Sequence, residues 1–244
     1  MRLASPILAR AAFDYRWLLD RGYSPRAALK LVGDRRQMTG DERMILFRGV
    51  ASSAASASRA AFIQGEARGR SVFVDGYNQT LTVMHYLTGR PLFIASDGLL
   101  RDAGGSHGRI GDAGLFARAA GALVDRIALL EPPRIAVFLD APISGSAGHA
   151  SLFRSLFAAK GIEADVRLED SADAPLKRAP GAVLVATSDS AIADALIASS
   201  TSHREGARLY DAARGAIELA FGRPELLDLS RLLAEGREAE NEAL

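Results

Sequence analysis

The chain has 244 residues, 48% hydrophobic and 24% charged, enough apolar surface for one good core plus a smaller module and far from a disordered composition. It contains no cysteine, which excludes disulfides and thiolate metal centres. The net charge of +1 conceals an asymmetry, because residues 1–70 carry 13 Lys+Arg against 6 Asp+Glu and leave 17 against 23 for the rest. No apolar run approaches the ~18 residues of a membrane span. Met1–Arg10 holds too short an apolar patch for a signal peptide, so the cytoplasm is the expected location. A basic front and an acidic back suit a phosphate-backbone binder with a cation-dependent site, and equally a solvated helical surface.

The first 66 or so residues contain no strand-like run, and residues 1–68 read as a small all-helical module. Ser24-Pro25 pairs a capping residue with a proline suited to the first helical position, and Leu29, Leu31 and Val32 lead to Gly33 as the expected stop. Thr39-Gly40-Asp41-Glu42 has the spacing of a capping box and opens a second helix through Met44, Ile45, Leu46, Phe47 and Val50. The basic turn between them, with Arg35 and Arg36, gives a loose helix-turn-helix layout to which Arg43 adds a further cation. The alternative is a helical cap packed through Trp17, Leu18 and Phe47. Ser52 to Ala61, built of Ala and Ser with one Arg, continues the helical reading. Gly65 to Gly69 punctuates the chain and places the boundary near residue 68.

Residues 69–244 alternate between the two periods. Strands are expected at Val72–Val74, Leu92–Ala95, Ile135–Leu139, Ala164–Leu168, Val183–Ala186 and Ala207–Tyr210. Helices are expected at Gln79–Leu87, Gly114–Leu130, Ser146–Lys160, Ala191–Ser199 and Ala212–Ala220, with a charged tail helix after Pro224. The fold class is therefore α/β, a mainly parallel sheet sandwiched by helices and preceded by the helical module.

Several apolar runs end in aspartate: Asp75 after Val74, Asp140 after Leu139, and Asp189 after Ala186-Thr187-Ser188. In a parallel sheet the carboxyl ends share one edge, where ligands bind. Like charges ~4 Å apart repel by about 4 kcal/mol at an effective dielectric of 20, so a divalent cation, a shared proton or cationic side chains must offset the cost. The most specific string is Asp75-Gly76-Tyr77-Asn78, where Gly76 permits a tight exit from the strand and Asn78 can bind substrate, orient the carboxylate or cap the helix. Asp97 ends the Leu92–Ala95 run, and the Gly-rich loop beyond it carries Arg101, Asp102, His107 and Asp112, of which Arg101 and His107 are candidate substrate contacts. The loop lacks the Walker spacing.

At Asp75-Gly76-Tyr77-Asn78 the chain resembles the PIN-like nuclease superfamily, in particular its NYN branch, whose first strand ends in Asp-Gly-x-Asn. Thr187-Ser188-Asp189 resembles that superfamily's later Thr/Ser-x-Asp element, and Asp173, in Ser171-Ala172-Asp173-Ala174, matches its acid leading into a short helix. The whole chain, with its Trp17–Tyr23 and Leu29–Arg35 strings, resembles a conserved-hypothetical family in which a helical module precedes a PIN-like domain. The resemblance implies a metal-dependent ribonuclease with catalytic Asp75, Asp173 and Asp189 holding Mg2+ or Mn2+, Asp97 as a further ligand, and Asn78, Thr187 and Ser188 as substrate contacts. Asp140, before Pro142, is expected to be a ligand, a partner that orients one, or only a turn former, the orienting role being favoured. Arg35, Arg36, Arg43 and Arg101 are then the expected RNA backbone contacts. The superfamily's acid in the middle helical region has no single match, and Asp97, Asp102, Asp112 and Asp125 compete for it. A haloacid-dehalogenase mechanism is disfavoured, since Tyr77 and Pro142 stand where its second acid would be. The rival reading is a non-catalytic RNA- or protein-binding protein, and the exposed helical front leaves room for a homodimer.

Overall fold

The computed structural model describes residues 5–65, 68–104, 110–200 and 206–241. In chain order the elements begin with α1 (Pro6–Leu19), α2 (Pro25–Arg35), α3 (Gly40–Gly49) and α4 (Ser53–Phe62). These are followed by β1 (Val72–Asp75), α5 (Gly76–Leu87), β2 (Leu92–Ile94), β3 (Leu100–Asp102), α6 (Ala113–Ala128) and β4 (Ile135–Asp140). Then come α7 (Ser146–Ala158), β5 (Ala164–Glu169), α8 (Asp173–Lys177), β6 (Leu184–Ala186) and α9 (Ser190–Ser199). The chain closes with β7 (Arg208–Tyr210), α10 (Ala212–Phe221), β8 (Leu227–Asp228) and α11 (Leu229–Asn241). An all-helical module thus precedes an α/β domain with a largely parallel sheet flanked by helices. Among the described residues no helix is long and apolar enough to cross a membrane.

Two compact units divide the chain. The first joins residues 1–61 to 90–104 and 225–244. Its helices start where the sequence signals: Ser24 accepts from the Ala27 amide with Pro25 at the first position. Thr39 and Glu42 exchange both bonds of the capping box. Gly33 does not end α2, which runs on to Arg35; a side chain there would collide with the Arg43 guanidinium, so this glycine serves packing. Leu8, Ala12, Tyr15, Leu18, Ile45 and Leu46 form the core with Phe93, Leu229 and Leu232. Trp17 and Phe47 remain half-exposed. The three-stranded sheet β3-β2-β8 belongs to this unit. The run at Leu92 was therefore a strand, but not one of the main sheet, because Phe93 and Ala95 bury against the helical core.

The second unit spans residues 62–89 and 105–224 around a five-stranded sheet in the order β5-β4-β1-β6-β7, with every pairing parallel. β1 lies at its centre and is buried throughout, as a strand covered on both faces must be. From β1 the chain steps to β4 and β5, then crosses back to β6 and β7 on the other side of β1. The order reverses between β1 and β6, and a crevice opens outside the carboxyl ends at such a reversal. Gly76 is required at the exit from β1, since a Cβ there would lie 2.5 Å from Leu139 Cδ2 and 3.0 Å from the Phe138 carbonyl. Gly76→Ala should cost about 1–3 kcal/mol of stability, read as a lower urea midpoint at unchanged slope.

Candidate functional site

The carboxyl edge of the five-stranded sheet is acidic. Asp75, Asp140 and Glu169 end β1, β4 and β5; Asp189 follows β6 by three residues and Asp211 follows β7. Asp211 was missed, although the rule that singled out the other strand-end acids applied equally to Tyr210-Asp211. It caps α10 through the Arg214 amide at 3.0 Å.

Register decides which of these acids meet. Val74 stands level with Ala186, so the next residues, Asp75 and Thr187, face each other across adjacent strands. Thr187 Oγ1 donates to Asp75 Oδ2 at 2.8 Å although 112 positions separate them. One step further out, Asn78 Oδ1 accepts from the Ser188 amide and hydroxyl, both at 3.0 Å. Asp75 is also the N-cap of α5, accepting from the Asn78 amide at 3.4 Å. The two strings that sequence reasoning singled out are therefore laced together at the reversal point. Asp189 caps α9, its Oδ1 accepting from the amides of Ala191 at 2.7 Å and Ile192 at 3.1 Å. Gln79 completes the frame, donating to Asn78 Oδ1 and accepting from the Ala213 amide.

Burial pushes the Asp75 carboxyl up to about 7; the Thr187 and Asn78 bonds oppose the shift, while the negative charges of Asp189 and Asp173 add to it. Asp75 thus lies within range of the charges of both Asp189 and Asp173. Asp173 is engaged by Lys177, whose Nζ lies 2.7 Å from its Oδ2. Among the described residues, no group of three His, Cys, Asp or Glu side chains stands ready to hold a metal ion. Each acid is engaged by a protein partner: Lys177 pairs with Asp173, the α9 amides donate to Asp189 Oδ1, and Thr187 donates to Asp75 Oδ2.

Asp140 is set apart because β4 runs two residues beyond Phe138, the partner of Asp75, a rise of roughly 6.6 Å at ~3.3 Å per residue. Its Oδ1 accepts from the Ala172 amide at 2.9 Å, which fixes the start of α8 and so the place of Asp173. Tyr77, whose hydroxyl is paired with His149 Nδ1 at 3.0 Å, is raised to about 12 by burial and by the Asp140 charge.

Other expected contacts fall elsewhere. Asp97 lies in the first unit with a side chain 0% exposed, its two oxygens taken by Arg101 at 3.0 and 2.8 Å and by Arg59 at 3.3 Å. It is a structural counter-ion rather than a rim ligand, and buried Arg101 is not placed to meet a phosphate. Removing Arg101 leaves Asp97 with Arg59 as its remaining ion-pair partner among the described residues and takes two buried hydrogen bonds away, so Arg101→Ala should cost about 1–3 kcal/mol, measured by urea denaturation. Arg36 donates to Asp14 at 2.8 and 3.1 Å, and Arg43 pairs with Asp34 at 3.0 Å and bonds the Met38 carbonyl. Both are tied into the helical unit; Arg35 is exposed. His107 lies outside the described residues.

Fold and site together define an α/β protein whose parallel sheet carries a row of acids along its carboxyl edge. The chain belongs to the family described as "Domain of unknown function (DUF5616)", whose model matches residues 64–201. Residues 7–61 match a second model, "Protein of unknown function (DUF434)". A protein of Methanocaldococcus jannaschii, named as uncharacterized protein MJ0935, is 25% identical over 187 residues, which cover 76% of this chain and 88% of that one. No solved structure matches significantly.

Proposed function

We propose that this chain is a cytoplasmic, PIN-like, Mg2+- or Mn2+-dependent ribonuclease that hydrolyses phosphodiester bonds at the acidic rim. The observation that carries the reading is the 2.8 Å bond from Thr187 to Asp75, which joins the Asp-Gly-x-Asn and Thr-x-Asp strings at the sheet's reversal point. A structural use of Asp75 explains it poorly. A buried carboxylate raised to about 7, beside two further acids, is a costly way to cap a helix.

The chemical character of the rim suits a hard divalent cation, with carboxylate oxygens and negative charge in excess of its one paired lysine, although among the described residues no three of these acids are grouped around one point. Asp75 and Asp189 would hold it, with Asp173 and Asp140 further out. When bound, the cation supplies Lewis acidity toward the phosphate and makes water a competent nucleophile near neutral pH. The chain's own contribution is positional. Thr187 and the Asn78 amide hold the Asp75 carboxylate from two sides, Ser188 fixes the Asn78 side chain, and the start of α9 sets Asp189 on the rim. Arg35 remains the candidate RNA backbone contact on the helical module.

Incubation of the full chain with a mixed single-stranded RNA pool, with and without Mn2+, tests the reading. Mn2+-dependent products absent from Asp189→Asn support it; products unchanged by the substitution would come from a contaminant and leave the chain without the activity.

A further inference from the structure

The five-stranded sheet has two edges, and the fold treats them differently. Beyond β7 the chain adds a partner: Ile63 bridges Leu209 in parallel, and the Gln64 amide donates to the Leu209 carbonyl at 2.8 Å. At the other edge, among the described residues, β5 pairs with β4 alone, in unbroken register from Ala164 to Glu169. That strand has no proline, glycine or bulge to discourage the addition of another. Two contacts show which of its backbone groups face outward. The Glu169 carbonyl accepts from the Ala141 amide at 2.7 Å, just past the end of β4, so residues 165, 167 and 169 turn their peptide groups inward. The Val166 carbonyl is met instead by Arg154 of α7 at 2.6 Å, so residues 164, 166 and 168 turn theirs outward. Side chains alternate as well. Asp165 and Arg167 share one face, and Leu168, 40% exposed, stands on the other with Ala164 and Val166.

We infer that β5 is the seam of a homodimer, in which the edge strands of two copies pair antiparallel about Val166 and join their sheets into one. The sequence around Val166 is its own complement. With Val166 set opposite its own copy, the outward groups of Ala164, Val166 and Leu168 meet as hydrogen-bonded pairs. Asp165 then faces Arg167 of the second copy, and Arg167 faces Asp165, at the positions between, where side chains approach most closely. The interface is isologous, so each favourable pair occurs twice. Arg154 does not forbid it, because a carbonyl has two lone pairs and the guanidinium takes one. Leu168 falls opposite Ala164, beside a depression whose walls include Ala158, Ile162 and Val166, which seats the exposed side chain. Charge rejects the neighbouring registers. One sets Asp165 against Glu169 and Arg167 against itself, and the other sets Asp165 against itself. Because the paired strands run in opposite directions, the acidic rims of the two copies point to opposite ends of the joined sheet.

The test is sedimentation equilibrium of the full chain, with hydrogen exchange followed amide by amide. Wild type is a dimer, and its Val166 and Leu168 amides exchange faster on dilution. Asp165→Arg and Arg167→Asp each set like charges against one another twice and weaken dimerisation at least about tenfold. Combining the two swaps restores the wild-type constant to within about threefold, a rescue that a damaged fold or a different register would not give. A wild type that stays monomeric up to about 100 μM, a dimer whose β5 amides ignore dilution, or a double swap no tighter than either single change would each overturn the inference.

Discussion

Asp189→Asn is expected to lower Mn2+-dependent RNA cleavage by about 10^3-fold while changing stability by less than about 1 kcal/mol. The two halves of that expectation come from two jobs done by one side chain. As the N-cap of α9, Asp189 needs only an oxygen that accepts from the Ala191 and Ile192 amides, and asparagine caps a helix as well as aspartate does. As a metal-holding group it needs the negative charge, which asparagine lacks. The isosteric change therefore separates capping from charge. Asp189→Ala removes both, and should add a loss of about 1 kcal/mol from the missing cap. Equal cleavage by wild type and Asp189→Asn would reduce Asp189 to a cap and favour the non-catalytic alternative.

The second large effect concerns Asp75 and runs the other way for stability. Its carboxyl is pushed up to about 7 by burial, against an ordinary value near 3.8. The fold thus favours the protonated form. Stability from this group is fully present below about pH 4 and is lost progressively as pH rises through 7. At 1.36 kcal/mol per pH unit, the gap of about three units makes the ionised form cost about 4 kcal/mol at pH 8. Asparagine removes that cost and gives up about 1 kcal/mol of bonding at the Asn78 amide. Asp75→Asn should therefore stabilise the chain by about 3 kcal/mol at pH 8, with no gain at pH 4, in urea melts with EDTA present. Mn2+ should then raise the stability of wild type but not of the variant, because a ligand stabilises only the state that binds it. An unchanged melt at pH 8 would mean that the Asp75 charge is already balanced without metal. A site residue whose removal strengthens the fold is what a function bought at the expense of stability looks like.

Much of this was visible in one dimension. Capping chemistry is local, so the starts of α2 and α3 could be read from Ser24-Pro25 and from Thr39 with Glu42. Strands of β-branched residues ending in an acid are also local patterns, and they located Asp75, Asp140 and Asp189 at the carboxyl edge. Gly33 shows the limit of the same logic. It looks like a helix stop, yet only a guanidinium from α3 explains it.

What depends on partners distant along the chain had to wait for the fold. The run Leu92–Ala95 reads as a strand of the main sheet, and the helical unit claims it because burying Phe93 needs only an apolar surface, whichever unit offers it. Asp97 and Asp75 look alike in sequence, each an aspartate at the end of an apolar run before a glycine. Two arginines neutralise the first, while the second faces a threonine and two acids. Residue types and their periodicity set which side chains can form caps, strands and rim. Strand order and register, which follow from how the layers pack, chose which acids meet at the rim and which are matched by a cation.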